Sequence, residues 1–426
     1  MKRIILIQVL LISSTFSFAQ SIDNIIDIAE ATRIVKHLAD DEMKGRKTFS
    51  PTIDKAAAFI AAEFKKSNLD FFPGSTDFLQ TFSLTRTKFL AASGTINDTQ
   101  ILENNIIAIT TEPLLKINEQ SGYELISFDT SVKLIAEAGR LIKEKKNYIV
   151  LVNSFHSTNF GRLKRFKRDN FKTAHNVIFV LHDETPARYN FEIKHEVTST
   201  TLSNVVAVLP GKTKKDEYVI FSAHYDHLGT GKPDAQMDSI YNGANDDASG
   251  TAAMIMLADY FSKINNNERT IIFAAFTAEE IGGYGSRYFS NQLNSDKIVA
   301  MFNIEMIGTE SKWGTNSAYI TGYDKSDFGK ILQANLAGSV FHFEPDPYPK
   351  QNLFYRSDNA TLAALGVPAH TISTSKMDTE KYYHTLDDEI ETLDMKNMAE
   401  IIKAIAISSS TILSGKDTPA RVVKSE

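Results

Sequence analysis

From about residue 200 the chain alternates between two hydrophobic patterns. "VVAVLPG", "EYVIFSAH", "RTIIFAAFT" and "IVAMFNIE" are short, nearly continuous apolar runs and read as strands buried on both faces. "ASGTAAMIMLADYFSKI", "YGSRYFSNQL" and a last segment near 395–413 repeat their apolar residues at helical spacing. Such alternation predicts an α/β fold, with a mixed, mainly parallel sheet covered by helices on both faces. In sheets of this kind chemistry collects at the carboxyl ends of the strands.

Residues 22–70 read as helical. Ser50-Pro51 is a cap with a first-turn proline, and Ile53, Ala56, Ala57, Ile60 and Phe64 fall on one face. Between 83 and 199 the pattern changes to Thr, Asn and Lys around short strands such as "NYIVLV" and "NVIFVL". We expect a β-rich insertion there, dividing a core of residues 20–82 and 200–418.

The beginning has a different pattern. Lys2 and Arg3 precede an apolar run, Ile4 to Ile12, and Ser17-Phe18-Ala19 fits a small-x-small cleavage site. Residues 1–19 are expected to be a signal peptide. The mature chain would be exported to the periplasm or the extracellular space, with no integral membrane segment after cleavage. The chain has no cysteine, so packing and bound metal must supply what disulfides would. Its 52 Asp and Glu exceed its 46 Lys and Arg, which argues against general nucleic-acid binding. One basic run, "GRLKRFKRDNFK" at 161–172, reads as a solvated face.

The strand ends carry the chemistry. "FTAEEIGGYGSRYF" sets Glu279 beside Glu280 in a small, apolar turn, although adjacent carboxylates repel and resist burial. "EYVIFSAH" ends in His224, with Asp226 two residues on, where an extended chain points both the same way. A metal-bound imidazole commonly gives its second N–H to a carboxylate, and this pair supplies both. His227 could be a further ligand, but it reads better as a solvated or capping histidine. "NGANDDASG" is a small acidic loop entering a helix, in which Asp247 fits a capping role. "IVAMFNIE" ends in Glu305, and "KYYHTLDDEIETLD" holds His384. His224, Asp246, Glu280, Glu305 and His384 are donors suited to zinc. If one carboxylate bridges, they give three donors to each of two ions ~3.5–4 Å apart that share a bridging, metal-activated water. Glu279 is then left to act as general base.

Five segments, "SAHYDHLG", "GANDDASG", "FTAEEIGGYGS", "NIEMIG" and "YYHTLDD", span residues 222–388. Together and in this order they resemble metallopeptidase family twenty-eight, the co-catalytic di-zinc exopeptidases that include secreted bacterial aminopeptidases and the glutamate carboxypeptidase group. The resemblance implies that His224 binds one zinc, oriented by Asp226, and that Glu305 completes that site. It implies that Asp246 bridges, that Glu280 and His384 bind the second zinc, and that Glu279 is base and then acid. It also implies a cis peptide between Asp246 and Asp247, and two Zn2+ that cobalt or manganese could replace.

Glu305 stands where many relatives have aspartate, and Ser357-Asp358-Asn359 where many have Ser-Asp-His. Tyr355 and Arg356 are candidates to polarise the scissile carbonyl. "DDEMKGRKTFSPTIDKAAAFIAAEFKKSNLDF" resembles the family's helical lead-in, and 83–199 stands where relatives insert a protease-associated domain.

The expected activity is removal of residues from the amino end of peptides or proteins. The same residues admit a carboxypeptidase or dipeptidase, a one-zinc glutaminyl cyclase, or a non-catalytic binding protein. The complete donor set favours the two-metal hydrolase. A calcium site or a solvated rim fits poorly with two histidines. Oligomeric state is open.

Overall fold

The computed structural model describes residues 22–424, so the leader expected at 1–19 lies outside the described residues. The chain divides into two units. One runs to Thr81 and resumes at Ser203, and the other is Phe82–Leu202. Both divisions fall inside long strands, Leu79–Ile96 and Tyr189–Leu209, and the second coincides with a change from polar sequence to the apolar run that begins at Val205.

In the first unit the sheet order is His342–Pro345, Ser317–Ile320, Ala369–Ser373, Ile298–Ile304, Lys214–His224, Arg269–Phe276 and the end of Tyr189–Leu209. The four from Ala369–Ser373 to Arg269–Phe276 are mutually parallel, with an antiparallel neighbour on each side. The four parallel strands bury both faces where they pair. Along Lys214–His224, Val219, Phe221 and Ala223 join one core, with the helices Ile28–Leu38, Pro51–Lys66, Gly250–Ile264 and Met395–Ser408. Ile220 faces the other core, with Phe289 and Leu362 of the helices Tyr284–Ser290 and Asn359–Ala364. This two-sided burial is why the strands read as unbroken apolar runs.

The helix Pro51–Lys66 buries Ile53, Ala56, Ala57, Ile60 and Phe64 as its spacing requires. Its expected cap differs. Ser50 stands at the cap position, but its hydroxyl donates to Lys47 O, so Pro51 and burial start the helix instead.

Register brings the parallel strands to a common edge. His224 pairs with Phe276, Ser222 with Asn303, and Ile304 with Ile372. Glu279 and Glu280 follow Phe276, and Glu305 follows Ile304, so their side chains start from the same end of the sheet.

The second unit has its own four-stranded sheet, ordered Ile106–Ile109, Val177–Leu181, Tyr148–Val152 and Glu124–Phe128. Hydrophobic cores lie on both faces, and the helix Leu134–Lys143 packs into one of them. The segment expected to be β-rich is built mainly of strands, with the helix Leu134–Lys143 added to its four-stranded sheet. The Arg and Lys side chains of its basic run are exposed, except that Lys167 is half-buried with Nζ 4.9 Å from the Phe89 ring centre. Burial lowers that ammonium to about 8. Among the described residues no helix is long and apolar enough to cross a membrane.

Candidate metal centre

His224 is the last residue of its strand and is buried. Its Nδ1 lies 3.1 Å from the backbone carbonyl of Asp226, while the Asp226 carboxylate stays 3.9 Å away. This corrects the expected imidazole–carboxylate pair. The strand has already ended, and the chain turns so that the carbonyl, not the carboxylate, meets the ring. The Asp226 carboxylate instead accepts the Glu279 N–H at 3.0 Å and the Thr48 hydroxyl at 2.8 Å. The Asp226 carboxylate therefore positions the expected base, while its backbone carbonyl meets the expected ligand.

The acidic loop is tightly tied. The Asp246–Asp247 peptide is cis. Asp247 accepts N–H groups from Gly250 at 3.1 Å, Met306 at 3.0 Å and His224 at 3.2 Å. It caps the helix start, as expected, and also joins it to two strand ends. Gly250 permits this, because a Cβ there would lie 2.3 Å from Ile304 O and 2.4 Å from Asp247 Oδ1. Asp388 accepts the Asn245 and Asp246 amides at 2.8 and 3.0 Å. Arg46, fully buried, donates to the carbonyls of Leu38, Tyr225, Asn242 and Gly243.

Asp246 faces two sets of donors. Its Oδ1 lies 3.1 Å from His224 Nε2, and Glu305 joins this pair in one cluster. Its Oδ2 lies 3.1 Å from His384 Nε2, which is 3.2 Å from Glu280 Oε2. The two oxygens of one carboxylate thus serve different clusters, which is what a bridging ligand requires. His224 Nε2, Asp246 Oδ1 and Glu305 Oε2 are all buried without a hydrogen-bond partner, although the first two are close together. Buried polar atoms are rarely left unpaired. Three that converge, on an imidazole and two carboxylates, fit a zinc ion.

The structure thus brings together all seven expected residues: His224, Asp226, Asp246, Glu279, Glu280, Glu305 and His384. Spacing did not reveal Thr48, Arg46 or Asp388. A threonine and an arginine between two helices, and an aspartate four residues past His384, were the available signals. His227 is the clearest reversal. It is fully buried rather than solvated, and its Nδ1 lies 2.8 Å from Glu280 Oε1. Asn359 is structural. It donates to Phe354 O and Ala369 O and accepts from Thr371.

Three non-glycine residues here have left-handed backbone: Ala278 before the two glutamates (φ 61), Met306 after Glu305 (φ 52) and His384 itself (φ 58). Each costs ~1–3 kcal/mol, and such positions concentrate at functional sites. A cavity of about 540 Å3 opens over the cluster, with Tyr355, Arg356 and Tyr383 in its walls.

Without a cation the cluster is electrostatically uneasy. Burial raises Glu279 and Asp247 well above ordinary carboxylates, Glu305 to about 7, and Asp358 and Asp388 to about 6. Burial opposes charge on His384, but Asp246 and Glu280 outweigh it and raise the imidazole to about 10. Burial likewise opposes ionisation of Asp246, yet the flanking histidines hold it well below the usual range.

The raised carboxylates keep protons in the folded chain that the unfolded chain releases from about pH 4. His384 keeps a proton that the unfolded chain loses near pH 6.5. Both effects make the folded state lose stability as pH rises. Chelated protein should therefore show a Tm that falls between pH 5 and 8, while the Tm gain on adding zinc grows over that interval. Calorimetry with and without chelator checks this. A chelated Tm that rises with pH would contradict it.

The sequence model of Peptidase family M28 matches residues 204–408. A probable zinc metalloprotease of Leptosphaeria maculans is 37% identical over 112 residues, 26% of this chain and 25% of that one. A probable leucine aminopeptidase of Trichophyton verrucosum is 28% identical over 47% of this chain and 54% of its own. An aminopeptidase of Bacillus subtilis is 25% identical over 48% and 43%. The chain thus spans about a quarter to a half of the length of these curated relatives. The fold matches the aminopeptidase from Aneurinibacillus sp. strain AM-1, with a TM-score of 0.54 at 18% identity over 95% of this chain and 98% of that one. It also matches a peptidase M28 precursor from Shewanella amazonensis, with a TM-score of 0.53 at 16% identity over 96% and 98%.

Proposed function

From the premise that residues 204–408 form a domain of peptidase family M28, we propose that the chain is an exported zinc exopeptidase that removes residues from the amino end of peptides. The observation that carries this is the Asp246 carboxylate shared between two donor clusters, with Glu279 beside them and outside both. Relatives named as aminopeptidases support the choice of the amino end, and the leader expected from the sequence at 1–19 supports export.

His224, Asp246 and Glu305 would hold one ion, and Asp246, Glu280 and His384 the other. When bound, the ions would supply Lewis acidity and make a water more acidic and so a better nucleophile. Glu279 takes the proton of the attacking water and delivers it to the leaving amine. Asp226 holds the Glu279 backbone N–H, and burial raises the Glu279 carboxyl, which suits a group that must both accept and release a proton. Tyr355 or Arg356, in the cavity wall, would steady the developing oxyanion.

The test is to incubate the mature protein with a mixed peptide library, with and without chelator, and read products by mass spectrometry. Stepwise loss of amino-terminal residues, stopped by chelator and restored by zinc, is the expected result. Loss from the carboxyl end would overturn the substrate assignment. Cyclised glutaminyl ends, or no product at all, would overturn the reaction. If Tyr355 is the oxyanion donor, Tyr355→Phe lowers kcat about 10²-fold without loss of zinc. An equal fall in Arg356→Ala, with Tyr355→Phe unaffected, would move the role to the arginine.

A further inference from the structure

We propose that His227 is a positioning residue for the second metal, holding Glu280 by the carboxylate oxygen that the metal leaves free. The inference rests on the zinc reading above and adds a residue that the donor set does not include.

Distances separate a ligand from a support. Two donors on one tetrahedral zinc, each about 2.0–2.2 Å from it, stand about 3.3–3.5 Å apart. His224 with Asp246 (3.1 Å), His384 with Asp246 (3.1 Å) and His384 with Glu280 Oε2 (3.2 Å) come near that edge length. His227 does not. Its Nδ1 is 2.8 Å from Glu280 Oε1, the length of a charge-assisted hydrogen bond, and 3.9 Å from Asp246 Oδ2. The two histidines also meet different oxygens of Glu280, His384 at Oε2 and His227 at Oε1. One oxygen is left to the metal and the other is held by the protein.

The surroundings of His227 fix its ring and its proton. Its backbone N–H donates to Arg46 O at 3.2 Å, and the ring packs so close to Gly243 that a Cβ there would lie 2.5 Å from Cδ2. Its Nε2 is buried without a partner. A proton on Nε2 would leave a buried N–H unpaired, which costs ~1–3 kcal/mol. A proton on Nδ1 avoids that and is donated to Glu280. Metal-bound imidazoles are usually held by a carboxylate behind them. Here the order is reversed, and an imidazole holds the carboxylate. This support has a purpose, because His384, the other private ligand of that ion, keeps a third of its side chain exposed. The rigidity of the second site therefore rests on Glu280 and Asp246.

The test is stepwise zinc titration of chelated protein against a competing chromophoric chelator, for wild type, His227→Ala, His227→Asn and His384→Ala. Cobalt absorption reports the geometry of the second site. His227→Ala is expected to keep the first affinity and weaken the second about 10–100-fold. His227→Asn should recover part of it, because its amide N–H2 can reach the same oxygen. His384→Ala should lose the second ion. If His227→Ala loses the second ion as completely as His384→Ala, His227 is a ligand and the inference falls. It also falls if the second affinity is unchanged. Should the alanine variant fail to fold, as judged by its chelated Tm, the asparagine variant decides by the same criteria. Peptide hydrolysis by wild type, run in parallel, separates failure of this inference from failure of the peptidase reading. A wild type that takes up fewer than two ions would sink both.

Discussion

Replacing Glu279 with glutamine is expected to lower kcat by about 10³-fold, within the range for loss of a general acid–base group, while both zinc ions stay bound. The structure supplies the reason for the separation. Glu279 is outside both donor clusters, whereas its neighbour Glu280 lies 3.2 Å from His384. Its backbone N–H is fixed by Asp226, a contact that the substitution leaves intact. Glutamine preserves shape and much of the hydrogen bonding but cannot take up a proton. KM should change little, because the lost interaction belongs to the transition state. The companion substitution Glu280→Gln should instead cost metal affinity. Steady-state kinetics with zinc analysis on both variants checks the assignment. Loss of zinc from Glu279→Gln would show that the two glutamates had been assigned the wrong way round.

That assignment shows what a sequence reading can reach. Two adjacent carboxylates in an apolar turn raised a chemical question that their neighbours could answer, because parallel strands with level register deliver His224, Glu279, Glu280 and Glu305 to one edge. Apolar periodicity showed the sheet and its covering helices, since burial on both faces leaves a plain signature. Contacts made by backbone groups were not legible. Asp226 could be placed near His224, but whether its carbonyl or its carboxylate met the ring depended on where the strand ended. Arg46 satisfies backbone carbonyls from three segments, a role with no residue-type partner to find. His227 was misread because histidine beside a strand end is usually solvated, whereas here the ring is buried against Gly243 and meets Glu280. The insertion expected at 83–199 lies within three residues of the unit Phe82–Leu202, because the change of hydrophobic pattern accompanies the division even inside continuous strands.

Replacing Asp246 with asparagine is expected to have the broadest effect, removing both ions, the zinc-dependent rise in Tm and at least about 10³-fold of activity. Each Asp246 oxygen lies 3.1 Å from a different histidine, so one substitution disturbs both clusters. His384→Ala, by contrast, touches only the second. Asparagine keeps one oxygen but puts an N–H2 in place of the other, and a protonated nitrogen cannot bind a cation. Whichever way the amide turns, one cluster meets a donor instead of an acceptor. The cluster that keeps its oxygen still loses a negative charge. Stability reports this independently of activity. Ligand binding to the folded state alone is worth about 4 kcal/mol at a thousand times Kd, so wild type with zinc should melt well above its chelated form. Asp246→Asn should show no such gap, and His384→Ala a reduced one. If Asp246→Asn kept one full equivalent of tightly bound zinc, the carboxylate would belong to a single ion and the shared-ligand reading would fail.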